Sequence, residues 1–165
     1  MSTQPLRWSW VETELGRLFI ARSERGLVAL ELHESSARER LAGSQALVED
    51  PAALAPAAQQ LQEYARGERR VFELELDLVG SEFELRVWNA LRAIPWGRTR
   101  TYGEIAQAIG APSASRAVGR ANGRNPLPIV VPCHRVVSGT GLGGFSGGLE
   151  VKQRLLALER VQLFA

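Results

Sequence analysis

The first half of the chain alternates apolar and polar positions in short runs, a pattern typical of β-strands. These runs are "RWSWVET", "GRLFIARS" and "GLVALELH". Gly16 and Gly26 lie at the turns between them, so we expect a small antiparallel sheet. A later run, "VFELELDLV", alternates in the same way and is predicted to be a further strand.

One segment of this half is predicted to be helical. Asp50 precedes Pro51, and Gly67 follows the apolar stretch that begins there. Aspartate is a favoured N-cap, proline suits the first helical position, and glycine commonly ends a helix. These signals predict a helix from about Pro51 to Arg66.

From Ser81 the apolar spacing changes to the three- and four-residue period of helices. Ser81 and Glu84 have capping-box spacing, and the helix that they begin is predicted to end at Pro95. Thr101 and Glu104 repeat the device and open a second, shorter helix.

The second helix is predicted to end at Gly110, and Ser113 is predicted to cap a third that runs to Asn122 or Gly123. Two short helices joined by a tight turn make residues 101–123 a helix-turn-helix candidate. The fold class is therefore α+β: a small N-terminal antiparallel sheet with a helix, then a mainly helical half. We place the domain boundary near Gly80, giving residues 1–80 and 81–165.

Composition limits the class of protein. The chain has 165 residues, 45% of them apolar, and one cysteine. It can bury a core, but it has no internal disulfide and no cysteine–histidine set with zinc spacing. The N-terminus lacks the apolar region of a signal peptide, and no run is long enough to span a bilayer. We expect a cytoplasmic protein without a metal site.

The net charge of +2 hides an uneven distribution. Residues 86–135 carry eight arginines against one acid, Glu104. Arginine suits bidentate phosphate contacts, so this block favours a nucleic acid as partner. The alternative is an ordinary solvated surface.

The third predicted helix carries two neighbouring stripes. Arg116, Arg120 and Arg124 recur at helical spacing, and Ala117 and Ala121 form a stripe of small side chains. This surface lacks the long polar readers of a major-groove helix and suits the minor groove and a sequence-independent mode. The competing interpretation is that the alanines pack against the preceding helix.

The motif "VPCHRVV" holds the single cysteine, Cys133, beside His134. A nucleophilic thiol needs a neighbour that takes its proton. Successive side chains of a strand point to opposite faces, so direct contact requires a turn at Pro132 or a bridging water. The acid best placed to orient the histidine is Glu159, on the edge of the last helix's apolar face.

These residues resemble one family. The run "RAVGRANGRNPLPIVVPCHRVV", with "TYGEIA" before it and "GFSGGLEVKQRLLALE" after it, is similar to the O6-alkylguanine-DNA alkyltransferases. The resemblance is close from about Phe83 to Glu159 and looser in the first half. It implies DNA repair by a single-turnover protein that transfers an alkyl group from guanine O6 in double-stranded DNA to its own cysteine. O4-alkylthymine is a second candidate substrate.

The resemblance also implies roles for individual residues. Cys133 would be the acceptor, His134 its water-linked base, and Glu159 the acid that holds the imidazole. Asn125 would tie the active-site turn together. Tyr102 would help to turn out the nucleotide and donate a proton to the leaving guanine.

Arg116 would fill the gap that the flipped base leaves in the duplex. Other DNA contacts would come from Thr101, Ser113, Ala117, Arg120, Ala121 and Arg124. The substrate pocket would be lined by Pro128, Val136, Phe145, Ser146 and Gly147. No cofactor is implied, and we expect a monomer, with clustering on DNA left open.

The chain departs from the family pattern in two places near the site. Phe145 stands where many relatives have tyrosine, and the loop "SGTGLGG" (Ser138–Gly144) is one residue shorter than usual. The zinc-binding cysteines that some relatives carry in the N-terminal part are absent, and we expect a protein without the separate N-terminal regulatory domain of the adaptive-response members. The preferred alkyl group therefore stays open.

Two other classes remain as alternatives. A non-catalytic lesion-binding relative would lack the acceptor thiol, which this chain has. A cysteine hydrolase would use Cys133, His134 and Glu159 as a triad but would not need the basic block. For single residues, Cys133 could be an ordinary buried thiol, and Tyr102 could pack on Trp96.

Overall fold

The computed structural model describes residues 4–161 except 34, 35, 37, 38, 40 and 42–45. The chain divides into two compact units between Leu78 and Val79. No helix in the described residues is long and apolar enough to cross a membrane.

In the described part of the first unit, four strands form one sheet in the order β3-β2-β1-β4. They are β1 (Leu6–Thr13), β2 (Gly16–Arg22), β3 (Leu27–Glu31) and β4 (Leu47–Glu49). The first three pair antiparallel, as predicted, whereas β4 lies parallel to β1. The sequence did not predict β4, because it is only three residues long and all three are exposed.

Helix α1 (Pro51–Ala65) packs on β1 of this sheet. The Asp50 side chain accepts a hydrogen bond from the Ala53 backbone N–H at 3.1 Å, which caps the first turn. Gly67, just beyond the helix, has a φ of 77°, the left-handed conformation that glycine favours at a helix end. The prediction of this helix is confirmed.

The predicted strand in residues 71–79 does not form. This segment meets β3 only at its first residue: Leu27 donates to the Glu75 carbonyl at 3.0 Å and accepts from the Asp77 N–H at 2.8 Å. Gly26 permits this approach, because a Cβ there would lie 2.5 Å from the Glu75 oxygen. The contact is one isolated parallel bridge, Leu27–Leu76, and not a ladder.

The described part of the second unit is mainly helical. Its helices are α2 (Glu82–Arg92), α3 (Tyr102–Ala108), α4 (Ser115–Gly123) and α5 (Leu149–Leu158), with a 3-10 turn at Cys133–Arg135. Two short strands, β5 (Arg100–Thr101) and β6 (Val136–Val137), pair in parallel. Together with the first unit, these elements make the α+β fold that the sequence predicts.

Two of the three predicted helix N-caps, Ser81 and Thr101, are confirmed. Thr101 and Glu104 form a complete capping box, with bonds of 3.1 and 2.9 Å. Ser81 also caps α2, but the Glu84 carboxylate accepts from the Ser81 hydroxyl and not from its backbone.

The prediction that Ser113 caps the third helix is wrong. Helix α4 begins at Ser115, after an N-cap at Ala114 that makes no side-chain hydrogen bond. The Ala114 N–H donates to the Ala111 carbonyl at 2.9 Å, so Ser113 lies within a backbone turn that precedes the helix. Helices α3 and α4 still form the predicted helix-turn-helix.

Helices α2, α3 and α4 pack on one another around Trp88, which is 1% exposed. The Trp88 indole Nε1–H donates to the Ala121 carbonyl at 2.9 Å, which fastens α4 to α2. Beyond α4, the chain from Leu127 to Val136 is almost wholly buried. The core of this unit therefore encloses the segment that carries the cysteine.

Candidate active site

Cys133 lies on a 3-10 turn and not in a strand. Pro132 precedes the turn, and its carbonyl accepts from the Arg135 N–H at 3.0 Å. Cys133 is 3% exposed and His134 is fully buried. The chain therefore turns at Pro132, where an extended strand would have pointed the two side chains to opposite faces.

Asn125 braces the segment that leads into this turn. Its Nδ2 donates to the Val131 carbonyl at 2.8 Å, and its Oδ1 accepts from the Leu127 N–H at 2.9 Å. Between them Ile129 has a φ of 76°, a conformation that β-branched residues rarely adopt. The two Asn125 bonds and the burial of Ile129 hold this strained backbone in place.

The Glu159 carboxylate lies at the end of α5 and binds two neighbouring side chains of the turn. His134 donates from Nε2 to Oε1 at 2.7 Å. Arg135 donates from Nη2 to Oε1 and from Nε to Oε2, both at 2.8 Å, and from Nη1 to the Ile94 carbonyl at 2.6 Å. Glu159 is fully buried, so these donors replace the water that its charge has lost.

The charges of this cluster follow from its environment. Burial alone would raise the pKa of Glu159, but the hydrogen bonds from His134 and Arg135 outweigh it and lower the pKa to about 2. Burial lowers the pKa of His134 despite the neighbouring carboxylate, so the imidazole is neutral. Because Nε2 holds the proton that Glu159 accepts, Nδ1 carries a lone pair, and it has no hydrogen-bond partner among the described residues.

The Cys133 thiol is protonated at rest. Burial raises its pKa to about 11, because a thiolate in the interior loses its hydration. The Asn125 side chain, the Lys152 charge and the backbone N–H groups of Cys133 and His134 act in the opposite direction. The site therefore holds a weakly acidic thiol beside a neutral imidazole that can accept a proton.

Lys152, on α5, is buried and donates hydrogen bonds to three backbone carbonyls. Its Nζ donates to Val136 at 2.6 Å, to Leu142 at 2.5 Å and to Gly144 at 3.1 Å. These bonds fasten the Ser138–Gly144 loop to the strand that follows the cysteine turn. Burial lowers the pKa of Lys152 to about 8, and the electrostatic interaction with Cys133 opposes that shift.

Tyr102 reaches the same region through the short parallel sheet. Strand β5 pairs with β6 at Arg100–Val136 and Thr101–Val137, which sets the start of α3 beside the end of the cysteine turn. The Tyr102 hydroxyl accepts from the Gly144 N–H at 3.2 Å. A cavity of about 170 Å³ lies here, lined by Tyr102, Gly119, Asn122, Gly123, Gly144, Phe145 and Ser146.

Only part of the predicted pocket lines this cavity. Phe145 and Ser146 do, whereas Pro128, Val136 and Gly147 are buried and lie outside its lining. The Val136 carbonyl is instead a Lys152 acceptor.

The predicted DNA-contacting residues divide by exposure. Arg116, Arg120 and Arg124 are exposed, although Arg124 lies one residue beyond α4, and Ser113 is exposed in the preceding turn. Thr101 and Ala117 are half-buried. Ala121 is 2% exposed, so it lies in the protein interior and not on an open surface, and its carbonyl accepts from Trp88 of α2, which is not the preceding helix.

Sequence reasoning missed three residues of the site: Asn122, Arg135 and Lys152. Arg135 was counted only as part of the basic block, although it is 6% exposed and paired with Glu159. The available signal was position: Lys152 shares the apolar face of α5 with Leu155 and Leu156, where a charge needs partners. Nothing in the spacing of Asn122 distinguishes it from a structural asparagine.

Each of the two units matches a family model, and both models describe domains of the same kind of protein. The family "6-O-methylguanine DNA methyltransferase, ribonuclease-like domain" matches residues 6–78, and "6-O-methylguanine DNA methyltransferase, DNA binding domain" matches residues 82–161.

Individual relatives match over nearly their whole length. A methylated-DNA–protein-cysteine methyltransferase of Mycolicibacterium paratuberculosis is 49% identical over 94% of this chain and 93% of its own. The constitutive methyltransferase of that name from Bacillus subtilis is 43% identical over 93% and 95%. The crystal structure of Mycobacterium tuberculosis OGT in complex with DNA superposes with a TM-score of 0.84 at 44% identity, covering 95% and 93%. The chain therefore belongs to the 6-O-methylguanine DNA methyltransferase family.

Proposed function

We propose that this chain repairs DNA by irreversible transfer of a methyl or other alkyl group from O6 of guanine to Cys133. The observation that carries the proposal is the buried Cys133 thiol on the same turn as a neutral imidazole, whose Nδ1 has no partner among the described residues. Family membership supports the reaction class. O4-alkylthymine is a second substrate to test.

The thiol proton is the first requirement of the reaction. With a thiol pKa of about 11, almost no thiolate exists at neutral pH, so deprotonation accompanies the transfer. His134 accepts the proton at Nδ1, through a bridging water, while Glu159 holds Nε2 and stabilises the imidazolium. Lys152 supplies a positive charge close to the developing thiolate.

The second step is in-line displacement. A bond forms between Cys133 Sγ and the alkyl carbon as the carbon–O6 bond breaks, and the electron pair stays on the guanine. Tyr102 donates its hydroxyl proton to the leaving base, and the proton that His134 took from the thiol then replaces it on the tyrosine oxygen, so both side chains end as they began. Thiol and alkylguanine become thioether and guanine, and because nothing reverses the thioether, each molecule reacts once.

Access to O6 requires that the nucleotide leave the duplex, since the thiol is buried. The exposed arginines of and beside α4 fit the minor-groove phosphates, and Arg116 takes the place of the flipped base. We propose that the protein acts as a monomer on double-stranded DNA.

The decisive experiment follows labelled methyl groups. We expect a duplex containing radiolabelled O6-methylguanine to transfer its label, one equivalent per protein, to the peptide containing Cys133. Cys133→Ala should abolish transfer and keep binding to the lesion duplex, because the thiol is not part of the DNA-contacting surface.

Other results would identify other functions. Binding without transfer indicates a lesion sensor, and repeated turnover without a labelled peptide indicates a hydrolase. If neither binding nor transfer occurs, the proposed function is wrong. A Cys133→Ala variant that loses binding as well would show that the residue is structural.

A further inference from the structure

Arg135 is the charged side chain of the cysteine turn that the proposed reaction does not use. It is 6% exposed, whereas the other seven arginines of residues 86–135 are exposed. Its Nε and Nη2 donate to the two oxygens of Glu159, both at 2.8 Å, and its Nη1 donates to the Ile94 carbonyl at 2.6 Å. This forked contact fixes the position of the carboxylate and balances its charge.

Arg135 and His134 share one oxygen of this carboxylate. Glu159 Oε1 accepts from His134 Nε2 at 2.7 Å and from Arg135 Nη2 at 2.8 Å. A buried carboxylate beside an imidazole favours the protonated ring, because the two opposite charges then balance. With the guanidinium in place the carboxylate is already balanced, so a proton on His134 would add an uncompensated charge to the interior.

Charged and titratable groups face His134 from two elements of the described chain. Helix α5 and its end contribute Lys152 and Glu159, and the turn itself contributes Arg135 and the neutral thiol of Cys133. Burial lowers the pKa of His134 most, Glu159 acts to raise it, and the charges of Arg135 and Lys152 lower it. Lys152 donates to three backbone carbonyls, so Arg135 is the cation that contacts the carboxylate.

We propose that Arg135 is a positioning residue, which holds the Glu159 carboxylate in a form that leaves His134 neutral and able to take the thiol proton. This inference rests on the proposed function. An imidazolium has a hydrogen on both nitrogens, so it could not accept the thiol proton at Nδ1. Without Arg135, His134 would take a proton from solvent before the substrate arrived, and the thiol would keep its own.

The protonation state of His134 is the first measurement. Nitrogen NMR of the ring is recorded between pH 5 and pH 9, with the exposed His33 as the internal reference. In the wild type we expect a neutral ring with its hydrogen on Nε2 over most of this range. In Arg135→Met, which has no charge, the midpoint of protonation should rise by at least about one pH unit, because the Glu159 charge is no longer balanced.

The rate of methyl transfer is the second measurement. Single-turnover rate constants are measured over the same pH range with a saturating duplex that contains O6-methylguanine, so that DNA binding does not limit the rate. The acid limb of the Arg135→Met profile should move up in pH by the same amount as its NMR midpoint. Arg135→Lys keeps a positive charge at this position and should lie closer to the wild type in both measurements.

A second substitution separates the charge of Arg135 from its packing. When Arg135→Met is combined with Glu159→Gln, the carboxylate charge is removed as well, so the His134 midpoint should return towards that of the wild type. Arg66→Met is the matched control, because it breaks an exposed ion pair with Glu68, and it should leave both profiles unchanged. If circular dichroism shows that Arg135→Met does not fold, Arg135→Gln is judged by the same criteria.

Three results would overturn the inference. The first is a His134 ring that has the same midpoint in Arg135→Met as in the wild type. The second is a double variant that keeps the midpoint of Arg135→Met, since the guanidinium would then not act through Glu159. Both leave the proposed function intact, because the wild type would still transfer the methyl group. The third, a wild type that transfers no methyl group at any pH, refutes the proposed function and with it this role.

Discussion

At the scale of the residue, the buried Glu159 carboxylate is held ionised by two side chains of the cysteine turn. It accepts from His134 and twice from Arg135, all of them buried. Burial is the main cause that lowers the pKa of His134; Glu159 acts to raise this pKa, and the Arg135 charge opposes Glu159. The imidazole is neutral, which the proposed role of His134 as a general base requires.

The lowered pKa of Glu159 predicts that the folded protein becomes less stable at acid pH. The pKa of Glu159 is about 2 in the folded protein against 4.5 as its ordinary value. Because the folded-state pKa is lowered, the unfolded chain binds more protons between these values, and the wild type loses stability as pH falls through that window. Glu159→Gln, which cannot titrate, should be less stable than the wild type at pH 7 by roughly 3 kcal/mol, a gap that narrows towards pH 2.

Urea unfolding between pH 2 and pH 7 measures this gap. Glu150→Gln, at an exposed carboxylate on the same helix, is the matched control and should show almost no gap. A Glu159→Gln gap that stays constant with pH would mean that the carboxylate is not held ionised by its partners.

At the scale of the element, the Ser138–Gly144 loop is shaped against the first residue of α3. Gly143 has a φ of 73°, and a Cβ there would lie 2.7 Å from the Tyr102 hydroxyl oxygen. Lys152 holds both neighbours of Gly143 by their carbonyls. The loop therefore has little room to move away from the tyrosine.

Gly143→Ala should accordingly disturb both the loop and the tyrosine. The left-handed backbone alone costs about 1 kcal/mol for alanine, and the contact with Tyr102 adds to it. We expect a lower melting temperature and slower methyl transfer. Gly139→Ala, in the same loop with nothing within 4 Å of the added carbon, should match the wild type. Equal behaviour of the two variants would contradict the close fit.

Helix α4 carries the prediction that concerns nucleotide flipping. Arg116 is exposed near its start. Arg116→Ala should slow transfer from duplex DNA far more than reaction with free O6-benzylguanine, because only the duplex requires flipping. Equal slowing of both reactions would remove this role for Arg116.

Elements whose ends are defined by local chemistry could be predicted from sequence. Asp50 with Gly67, and Thr101 with Glu104, act within one helical turn, so their spacing is sufficient. Alternation in residues 71–79 was not sufficient, because a strand also needs a partner of equal length and β3 offers only Leu27. The prediction that Ser113 caps α4 was wrong for a related reason. A backbone turn between Ala111 and Ala114 precedes the helix, which begins at Ser115.

The same distinction applies to the site. Cys133, His134 and Glu159 could be proposed because a reactive thiol needs a base and an acid. The partners of Arg135 and Lys152 could not be identified, because they lie on other elements, such as the Ile94 carbonyl and the carbonyls of the 138–144 loop. Pairing of buried charges is a property of the tertiary structure, and the sequence shows only that such charges exist.

At the scale of the whole molecule, charge is concentrated in one stretch of the chain. Of the eight arginines in residues 86–135, Arg135 is neutralised inside the protein and the other seven are exposed. The surface of the second unit thus keeps a basic character although the net charge of the chain is only +2. A polyanion would be attracted to it over several ångströms at physiological salt.

This distribution predicts how salt affects the reaction. Transfer from duplex DNA, at protein concentrations below saturation, should slow steeply between 50 and 200 mM salt, because bound arginines displace counterions from the phosphates. Reaction with free O6-benzylguanine should change little over the same range. Parallel salt dependence of the two rates would indicate that salt acts on the chemistry and not on DNA binding.

The 3% exposure of Cys133 has a consequence for the lifetime of the protein before it meets damage. A protein that reacts only once, as proposed here, must not be consumed by other oxidants or electrophiles before it meets a damaged base. A protonated sulfur with a pKa of about 11 is a poor nucleophile, and its burial keeps such reagents away. Under the proposed function, the thiol would therefore stay unreactive until the base that carries the alkyl group occupies the site.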